Sequence, residues 1–393
     1  MYDFDTVIDR RGTGSLKYDL AVRRGKPADV LPMWVADMDF QTAPQITKRL
    51  EGVVQHAIYG YTEPDESYFE ALKNWYGTCF GWEVRRPWLV KTPGVVFALA
   101  EAVRAFTEPG DAVLIQQPVY YPFAGVIEEN DRVLVNSPLQ LIDGHYEIDF
   151  EDFEQKIVEN QVKLFLLCSP HNPVGRVWKE EELRRLGEIC LAHGVIVTSD
   201  EIHSDFTFPG HTHHIFASLD ERFADISVIC TAPSKTFNLA GLQVSNIWIP
   251  NPQLRRKFRR AVEQTGYSQL NTVGLAACQA AYEEGGPWLE ELKTYLVSNL
   301  DFMREFLKNE TPELHLIEPE GTYLIWVDFR DLGMSEDERE DFILKEAKLW
   351  LDSGAIFGPD GEGFERFNIA CPRATLTQAL VQLRDALRKR SIS

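Results

Sequence analysis

The feature that most constrains the fold is an alternation of short apolar runs with amphipathic stretches between about Thr92 and Ile249. One such stretch, EELRRLGEICLAHG, carries apolar residues at helical spacing and ends at Gly194, which predicts a helix with a glycine C-cap. Strands that alternate with helices in this way are typical of a mostly parallel sheet with helices on both faces. The candidate strands are Ala112–Ile115, Arg132–Val135, Lys163–Cys168, Val195–Thr198, Ile226–Cys230 and Asn246–Ile249.

The pattern changes after about Gly285. The segment HLIEPEGTYLIWVDF predicts two strands around a turn at Glu320-Gly321, and EDFILKEAKLWLDSG predicts a helix before FERFNIACP. This is an α+β pattern. We therefore expect an N-terminal segment, residues 1–45, that packs on a small C-terminal domain, residues 285–393, and a large domain, residues 46–284.

Charge and cysteine usage exclude several classes of protein. Lys and Arg number 40 against 60 Asp and Glu, so the net charge of −20 disfavours nucleic-acid binding, which depends on contacts from Lys and Arg to phosphate. The six cysteines form no CxxC pair, and no stretch approaches the ~20 apolar residues of a membrane span. We expect a cytoplasmic protein with no membrane partner. The histidines of FPGHTHHIF lack further ligands, so no metal site is predicted.

Four candidate strands are followed by polar or aromatic residues of the kinds found in binding and catalytic sites, namely Tyr120, Asn172, Asp200 and Lys235. Ligands bind at the carboxyl ends of strands in open α/β sheets, so these side chains are expected to share a pocket. A lysine in a Ser-Lys-Thr turn after an apolar strand can act as a neutral amine nucleophile, and a buried Asp200 needs a cationic partner. A surface lysine and an aspartate in a loop turn are the alternatives when each residue is considered alone.

The segments SPHNPVG, SDEIHSDF and APSKTFNLAGL resemble, in this order, the signatures of the class I/II aminotransferase superfamily of pyridoxal-phosphate (PLP) enzymes. The match runs from WVADMDF at Trp34 to CPRATL near the C-terminus. LPMWVADMDF, YGYTEP, the His within SDEIHSD and SKTFNLAGLQVS are similar to its cystathionine β-lyase (C–S lyase) branch. The resemblance implies an α/β protein of fold type I, with a mostly parallel seven-stranded sheet flanked by helices, a smaller α+β domain, and PLP as cofactor.

The resemblance also implies residue roles. Lys235 is expected to link covalently to the coenzyme and to move the substrate Cα proton, while Asp200 pairs with the pyridine nitrogen. Arg373 is expected to bind the substrate α-carboxylate, with Asp37 bordering the pocket. Tyr61 is expected to reach the active site of the other subunit of a homodimer. The remaining expected coenzyme contacts are stacking by Tyr120, hydrogen bonds from Asn172 and His203, and phosphate binding by Gly94, Val95 and Ser234.

Two details of the phosphate site stay open at this point. Either Ser234 or Thr231 could supply the hydroxyl. Aspartate aminotransferases carry an arginine where this sequence has Gln243, and this substitution is expected in the lyase branch.

Three activities follow from the resemblance. The preferred one is β-elimination from L-cystathionine or a related cysteine S-conjugate, which yields pyruvate, ammonia and a thiol. The alternatives are a PLP-dependent aminotransferase and a non-catalytic PLP-binding regulator. The acidic charge and the lack of sequence for a DNA-binding domain argue against a regulator.

Overall fold

A seven-stranded sheet forms the centre of the computed structural model, which describes residues 2–392. The spatial order of its strands is β1-β7-β6-β5-β4-β2-β3. Strand β7 is antiparallel to both neighbours and the other pairs are parallel, so the expected mostly parallel seven-stranded sheet is confirmed. The strands are β1 Leu89–Thr92, β2 Ala112–Ile115, β3 Val133–Asn136, β4 Leu164–Cys168, β5 Ile196–Asp200, β6 Ser227–Thr231 and β7 Ser245–Trp248.

All six strands predicted from apolar runs are present, with small shifts at their ends. The pattern did not predict β1, because its residues LVKT alternate between buried and half-buried positions at the edge of the sheet. A strand covered on one face only carries a weaker apolar signal than a central strand such as β4, which is buried throughout.

Helices cover both faces of this sheet. Along β4, Phe165 and Leu167 pack into one apolar core, whereas Leu164 and Leu166 pack into a second core on the opposite face. The helix predicted before Gly194 is present, and Gly194 closes it with a left-handed φ of 67°. A one-turn helix spans Leu16–Asp19. The other helices are α1 Pro44–His56, α2 Glu66–Phe80, α3 Val95–Phe106, α4 Pro122–Glu128, α5 Phe150–Asn160, α6 Glu180–His193, α7 Glu221–Asp225, α8 Pro233–Thr236, α9 Pro252–Gln264, α10 Thr272–Glu284, α11 Gly286–Glu310, α12 Glu336–Asp341 and α13 Arg373–Ile392.

A second sheet follows α11. Its strands are all antiparallel, in the order β8-β9-β11-β10. The two strands expected around Glu320-Gly321 are β8 and β9 of this sheet. The strands are β8 His315–Leu316, β9 Leu324–Asp328, β10 Asp352–Ser353 and β11 Phe364–Asn368.

The helix predicted over residues 340–354 is largely wrong. Helix α12 ends at Asp341, a π-helical turn covers Phe342–Glu346, and Lys348 then turns the chain with a φ of 52°. The next residues, Leu349–Trp350, pair in parallel with Leu31–Pro32 of the N-terminal segment. This long-range pairing overrides the local helical pattern.

The N-terminal segment thus contacts the part of the chain around the second sheet. The domain boundaries at residues 45 and 284 stay predictions. A further hairpin pairs Gln140–Ile142 with His145–Glu147. Among residues 2–392, none of the helices has the length and apolar character needed to cross a membrane.

Candidate active site

The carboxyl ends of the central strands surround a cavity of about 270 Å³. Strand β5 ends at Asp200, and Lys235 lies in the single turn of α8 that follows β6. The structure therefore brings together most of the residues that the sequence singled out. The predicted residues that line the cavity are Gly94, Val95, Tyr120, Asn172, Asp200, His203, Ser234 and Lys235.

Lys235 is partly buried and lines this cavity. Its Nζ donates a hydrogen bond to the carbonyl oxygen of Ala36 at 2.7 Å. Burial lowers the pKa of Lys235 to about 8, and the positive charge of Arg366 acts in the same direction, whereas Asp37 and Asp200 oppose the shift. About a tenth of this amine is therefore neutral at pH 7, far more than at its ordinary pKa of 10.5, and the neutral form is the one that a nucleophile or a base requires.

Asp200 is 5% exposed, and its Oδ1 accepts a hydrogen bond from the Ile202 amide at 3.1 Å. Burial raises the pKa of Asp200 to about 7, because a carboxylate with so little compensation is costly away from water. Nearby His203 is buried, and its Nδ1 has no hydrogen-bond partner. Burial, with Lys235 and Arg366 contributing, keeps the pKa of His203 well below its usual value, so the ring is neutral.

Arg366 is a buried cation bonded to the cavity residue Asn172, and the sequence analysis missed it. It lies in β11, is 2% exposed, and forms an ion pair with Asp352. Its Nη1 donates to Asn172 Oδ1 at 2.9 Å, and its Nη2 donates to the Trp34 carbonyl at 3.0 Å. Its buried Nε has no partner, so one donor is left for an anion. The signal in the sequence was a charged pair inside the otherwise apolar run FERFN.

Arg373, expected to bind the substrate carboxylate, does not line the cavity. It lies at the start of α13, where Nε donates to Asn299 Oδ1 and Nη2 donates to Ser298 Oγ, both at 2.8 Å. Its guanidinium covers the ring of Phe302 at 4.6 Å. These contacts occupy the Arg373 guanidinium. Arg366 does not line the cavity either, but it donates a hydrogen bond to Asn172, which does, so we take Arg366 in place of Arg373 as the candidate for binding the carboxylate.

Asp37 and Tyr61 also lie outside the set of residues that line the cavity. Asp37 forms an ion pair with Arg10 at 2.8 Å, yet its charge still reaches Lys235 and opposes the fall in the pKa of that amine. Tyr61 is 97% exposed in a segment without regular secondary structure. Its side chain has room to contact a second subunit.

The N-terminus of α3 forms the opposite wall of the cavity. No atom lies within 4 Å of the position that a Cβ would take at Gly94, so a ligand can approach this backbone closely. Thr231 is committed to the sheet, since its Oγ1 donates to the Asn246 carbonyl at 2.7 Å and accepts from Trp248 Nε1 at 3.2 Å. Of the two candidate hydroxyls, Ser234 is the one that lines the cavity.

These groups fit the coenzyme that the resemblance implies. The Lys235 amine suits an aldehyde, and the buried Asp200 suits a protonated ring nitrogen, which would relieve the cost of burying its charge. The partnerless Nδ1 of His203 is open to a further hydrogen bond. The amides at the start of α3, together with the Ser234 hydroxyl, suit a phosphate group.

Fold and site together define an α/β enzyme that carries a lysine nucleophile and a buried carboxylate at the carboxyl edge of its central sheet. The family model described as "Aminotransferase class I and II" matches residues 29–383. The chain belongs to this family.

Individual relatives are similar over almost the whole chain. The cystathionine beta-lyase PatB of Bacillus subtilis is 48% identical, with 98% of this chain and 100% of PatB covered. Cystalysin from Treponema denticola, whose crystal structure contains pyridoxal 5'-phosphate, has a TM-score of 0.96 and 40% identity, with 99% and 100% covered. The PLP-bound C-S lyase of Staphylococcus hominis has a TM-score of 0.92 and 35% identity, with 98% of each chain covered. The expected membership of the superfamily and its C–S lyase branch is confirmed.

Proposed function

We propose that this protein is a PLP-dependent C–S β-lyase that cleaves L-cystathionine or a related cysteine S-conjugate to pyruvate, ammonia and a thiol. The observation that carries the proposal is that Lys235 and Asp200 line one cavity, with the buried Arg366 hydrogen-bonded to Asn172 at its edge, in a chain that is similar from end to end to cystathionine β-lyases. The substrate is an amino acid.

The residues divide the work of binding the coenzyme. Asp200 would keep a proton on the ring nitrogen, and Tyr120 would stack on the ring. Asn172 and His203 would provide hydrogen-bonding groups for the ring substituents. The amides of Gly94 and Val95 and the hydroxyl of Ser234 would hold the phosphate. PLP, when bound, supplies an aldehyde that joins the substrate amine and a ring that withdraws electrons from Cα.

Arg366 binds the substrate α-carboxylate through its planar guanidinium. The ion pair with Asp352 and the hydrogen bond to Asn172 fix the guanidinium in place, so the substrate is oriented at little entropic cost. Binding the carboxylate there sets the substrate Cα near the Lys235 amine.

Lys235 then accepts the Cα proton. An amine with a pKa of about 8 can take up this proton and release it again near neutral pH. Loss of the proton from Cα allows the Cβ–S bond to break, with the bonding electrons leaving on sulfur. The thiolate takes up a proton, and water converts the remaining three-carbon unit to pyruvate and ammonia.

The test is incubation with L-cystathionine in the absence of any keto acid, with pyruvate and homocysteine measured over time. We expect the two products in equal amounts, and Lys235→Ala should abolish both. Absence of pyruvate, together with rapid keto-acid-dependent transfer of the amine, would establish the aminotransferase instead. Binding of PLP, seen as an absorption band lost in Lys235→Ala, without turnover of any amino acid would indicate a regulator.

We also propose a homodimer with shared active sites. Tyr61, Ile58 and Tyr59 are 97%, 67% and 58% exposed, which is a high exposure for three large apolar side chains in one short segment. A second subunit that covers this segment would bring Tyr61 to a neighbouring site. The six cysteines are free thiols, which supports a location in the reducing cytoplasm.

A further inference from the structure

Arg24 is an exposed cation near the active site with no anionic partner of its own. It lies at the end of the turn Val22–Arg24, and its guanidinium covers the ring of Trp34 at 4.8 Å. No ion pair within 4.0 Å involves Arg24 in the part of the chain that the structure describes, although the chain carries a net charge of −20. Trp34 orients this cation by packing against it.

Trp34 links this cation to the active site. The indole contacts both Arg24 and Trp350, whose ring is stacked on it at 4.2 Å. The backbone carbonyl of the same Trp34 accepts a hydrogen bond from Arg366, the residue that binds the substrate α-carboxylate in the proposed reaction. One tryptophan therefore contacts both guanidinium groups, one through its ring and the other through its backbone carbonyl.

The charge of Arg24 acts on two groups that neighbour the cavity residue Tyr120 and Arg366. Burial raises the pKa of Tyr121, and Arg24 is one of the cations that oppose this rise. The ring of Tyr121 is 43% exposed and lies 5.2 Å from the ring of Tyr120, which lines the cavity. Burial also raises the pKa of Asp352, where Arg366 and then Arg24 oppose the rise. Arg24 is therefore an exposed cation whose charge acts on Tyr121 and Asp352, the neighbours of Tyr120 and Arg366.

The carboxylates near Arg24 form their ion pairs with other residues. Asp352 is buried and is paired with Arg366. The other basic residue of this segment that approaches an acidic group, Lys26, is paired with Glu340. A ligand held by Arg366 at one end and extending toward solvent would thus meet one cation that is free to bind it.

We propose that Arg24 binds an anionic group on the far side of the substrate sulfur, so that the preferred substrates are cysteine S-conjugates whose leaving thiol carries a carboxylate. This inference rests on the proposed function, because it takes Arg366 as the site of the α-carboxylate. It makes Arg24 a specificity residue, which acts on the choice of leaving group and leaves the proton transfer to Lys235.

The test compares two ligands that differ only in this distal charge and that cannot eliminate. L-α-Aminopimelate matches S-carboxyethyl-L-cysteine with carbon in place of sulfur, and its ω-amide lacks the distal charge. Dissociation constants for the holoenzyme are measured by titration calorimetry at low ionic strength. We expect the diacid to bind about two- to fivefold more tightly than the ω-amide, the range expected for an exposed ion pair.

Arg24→Gln should bring this ratio to about one without changing the affinity for the ω-amide, and Arg24→Lys should retain part of it. The matched control is Arg23→Gln, an exposed neighbour for which no ring contact is found, and it should keep the wild-type ratio. An unchanged ratio in Arg24→Gln would overturn the proposal. An equal loss of affinity for both ligands would also overturn it, since Arg24 would then only support Trp34.

Turnover separates this proposal from the proposed function. Pyruvate release is measured with S-carboxyethyl-L-cysteine and with S-carbamoylethyl-L-cysteine, whose leaving thiols differ only in the distal charge. Arg24→Gln should lower kcat/KM for the first about two- to fivefold and leave the second unchanged. If the wild-type enzyme releases pyruvate from neither compound, the lyase assignment fails, while the calorimetric ratio still decides the role of Arg24.

Discussion

Arg366 donates a hydrogen bond from Nη1 to Asn172 Oδ1 at 2.9 Å, which joins strand β11 of the second sheet to the loop after strand β4 of the first. This contact places the guanidinium of one sheet at the carboxyl edge of the other. The proposed substrate carboxylate site is therefore built from both sheets.

The first prediction separates Arg366 from Arg373. Arg366→Lys keeps a positive charge beside Asp352 but loses the planar fork, so kcat/KM for cystathionine should fall roughly 100-fold, the effect of losing about 3 kcal/mol of a buried charged contact. Arg373→Ala removes contacts to Ser298, Asn299 and the ring of Phe302, none of which lines the cavity, and should change kcat/KM by less than about threefold. Steady-state measurement of kcat/KM for both variants decides which arginine binds the substrate carboxylate. A larger effect at Arg373 would contradict the assignment.

The second prediction concerns the pH dependence of stability in the coenzyme-free protein. The pKa of Asp200 is raised from 3.8 to about 7 by burial, so between these values the folded carboxyl keeps a proton that the unfolded one has lost. Stability therefore decreases as pH rises through this window. Asp200→Asn cannot titrate, so its Tm relative to wild type should rise by a few degrees from pH ~4 to ~7.

Thermal unfolding at several pH values measures this difference. Bound PLP should reduce it, because a protonated ring nitrogen stabilises the Asp200 carboxylate by Coulomb attraction. A difference that is constant with pH would show that Asp200 does not titrate in this range.

The site residues that could be predicted are marked by the sequence next to them, whereas those that were missed depend on contacts with residues far away in the chain. Lys235 and Asp200 each follow a buried apolar run, so the rule that ligands bind at strand ends found both from local pattern alone. Arg366 lies in the middle of a buried strand of the small sheet, where no local pattern marks a functional residue. Only its hydrogen bond to Asn172, nearly 200 residues earlier in the chain, brings it to the cavity. The position of Arg24 likewise depends on a tertiary contact, its packing on the ring of Trp34, which no local pattern predicts.

The same distinction between local and long-range information applies to the predicted strands and helices. Central strands such as β4 and β6 were predicted because they are buried along their whole length. The helix expected at residues 340–354 failed because Leu349–Trp350 pairs with Leu31–Pro32, more than 300 residues earlier in the chain. No local pattern contains that information.

The third prediction tests the shared active site. Tyr61→Ala and Lys235→Ala should each be nearly inactive, since each removes one component of every site. After the two variants are mixed, unfolded and refolded together, up to about a quarter of the wild-type activity should return, because half of the dimers are mixed and each has one intact site. Activity and sedimentation measure the outcome. No recovery in dimers shown to be mixed would place Tyr61 in its own subunit's site.

The fourth prediction concerns the support of the turn that carries Lys235. Thr236 Oγ1 donates to Asp205 Oδ2 at 2.6 Å, and Trp75 Nε1 donates to Asp205 Oδ1 at 3.1 Å. Thr236→Val leaves one oxygen of a buried carboxyl without its donor, which should lower the free energy of unfolding by about 1–3 kcal/mol. Urea unfolding measures the change.

The matched control is Thr294→Val, whose exposed hydroxyl donates only to the Glu290 carbonyl at 3.0 Å. It should change the free energy of unfolding by less than about 0.5 kcal/mol. Equal effects of the two substitutions would mean that Asp205 finds another donor, and that Thr236 does not brace the lysine turn.

The reversed direction of β7 has a consequence for the lysine. Because β7 is antiparallel to β6, the chain leaves the sheet at Thr231 and re-enters it at Ser245 on the same side. Residues 232–244 form a connection that begins and ends at the same edge of the sheet and does not cross either of its faces. An extra residue in this segment would fall within the short span that carries Lys235, whereas the crossovers between parallel strands pass over a face of the sheet and can take up an extra residue away from its carboxyl edge.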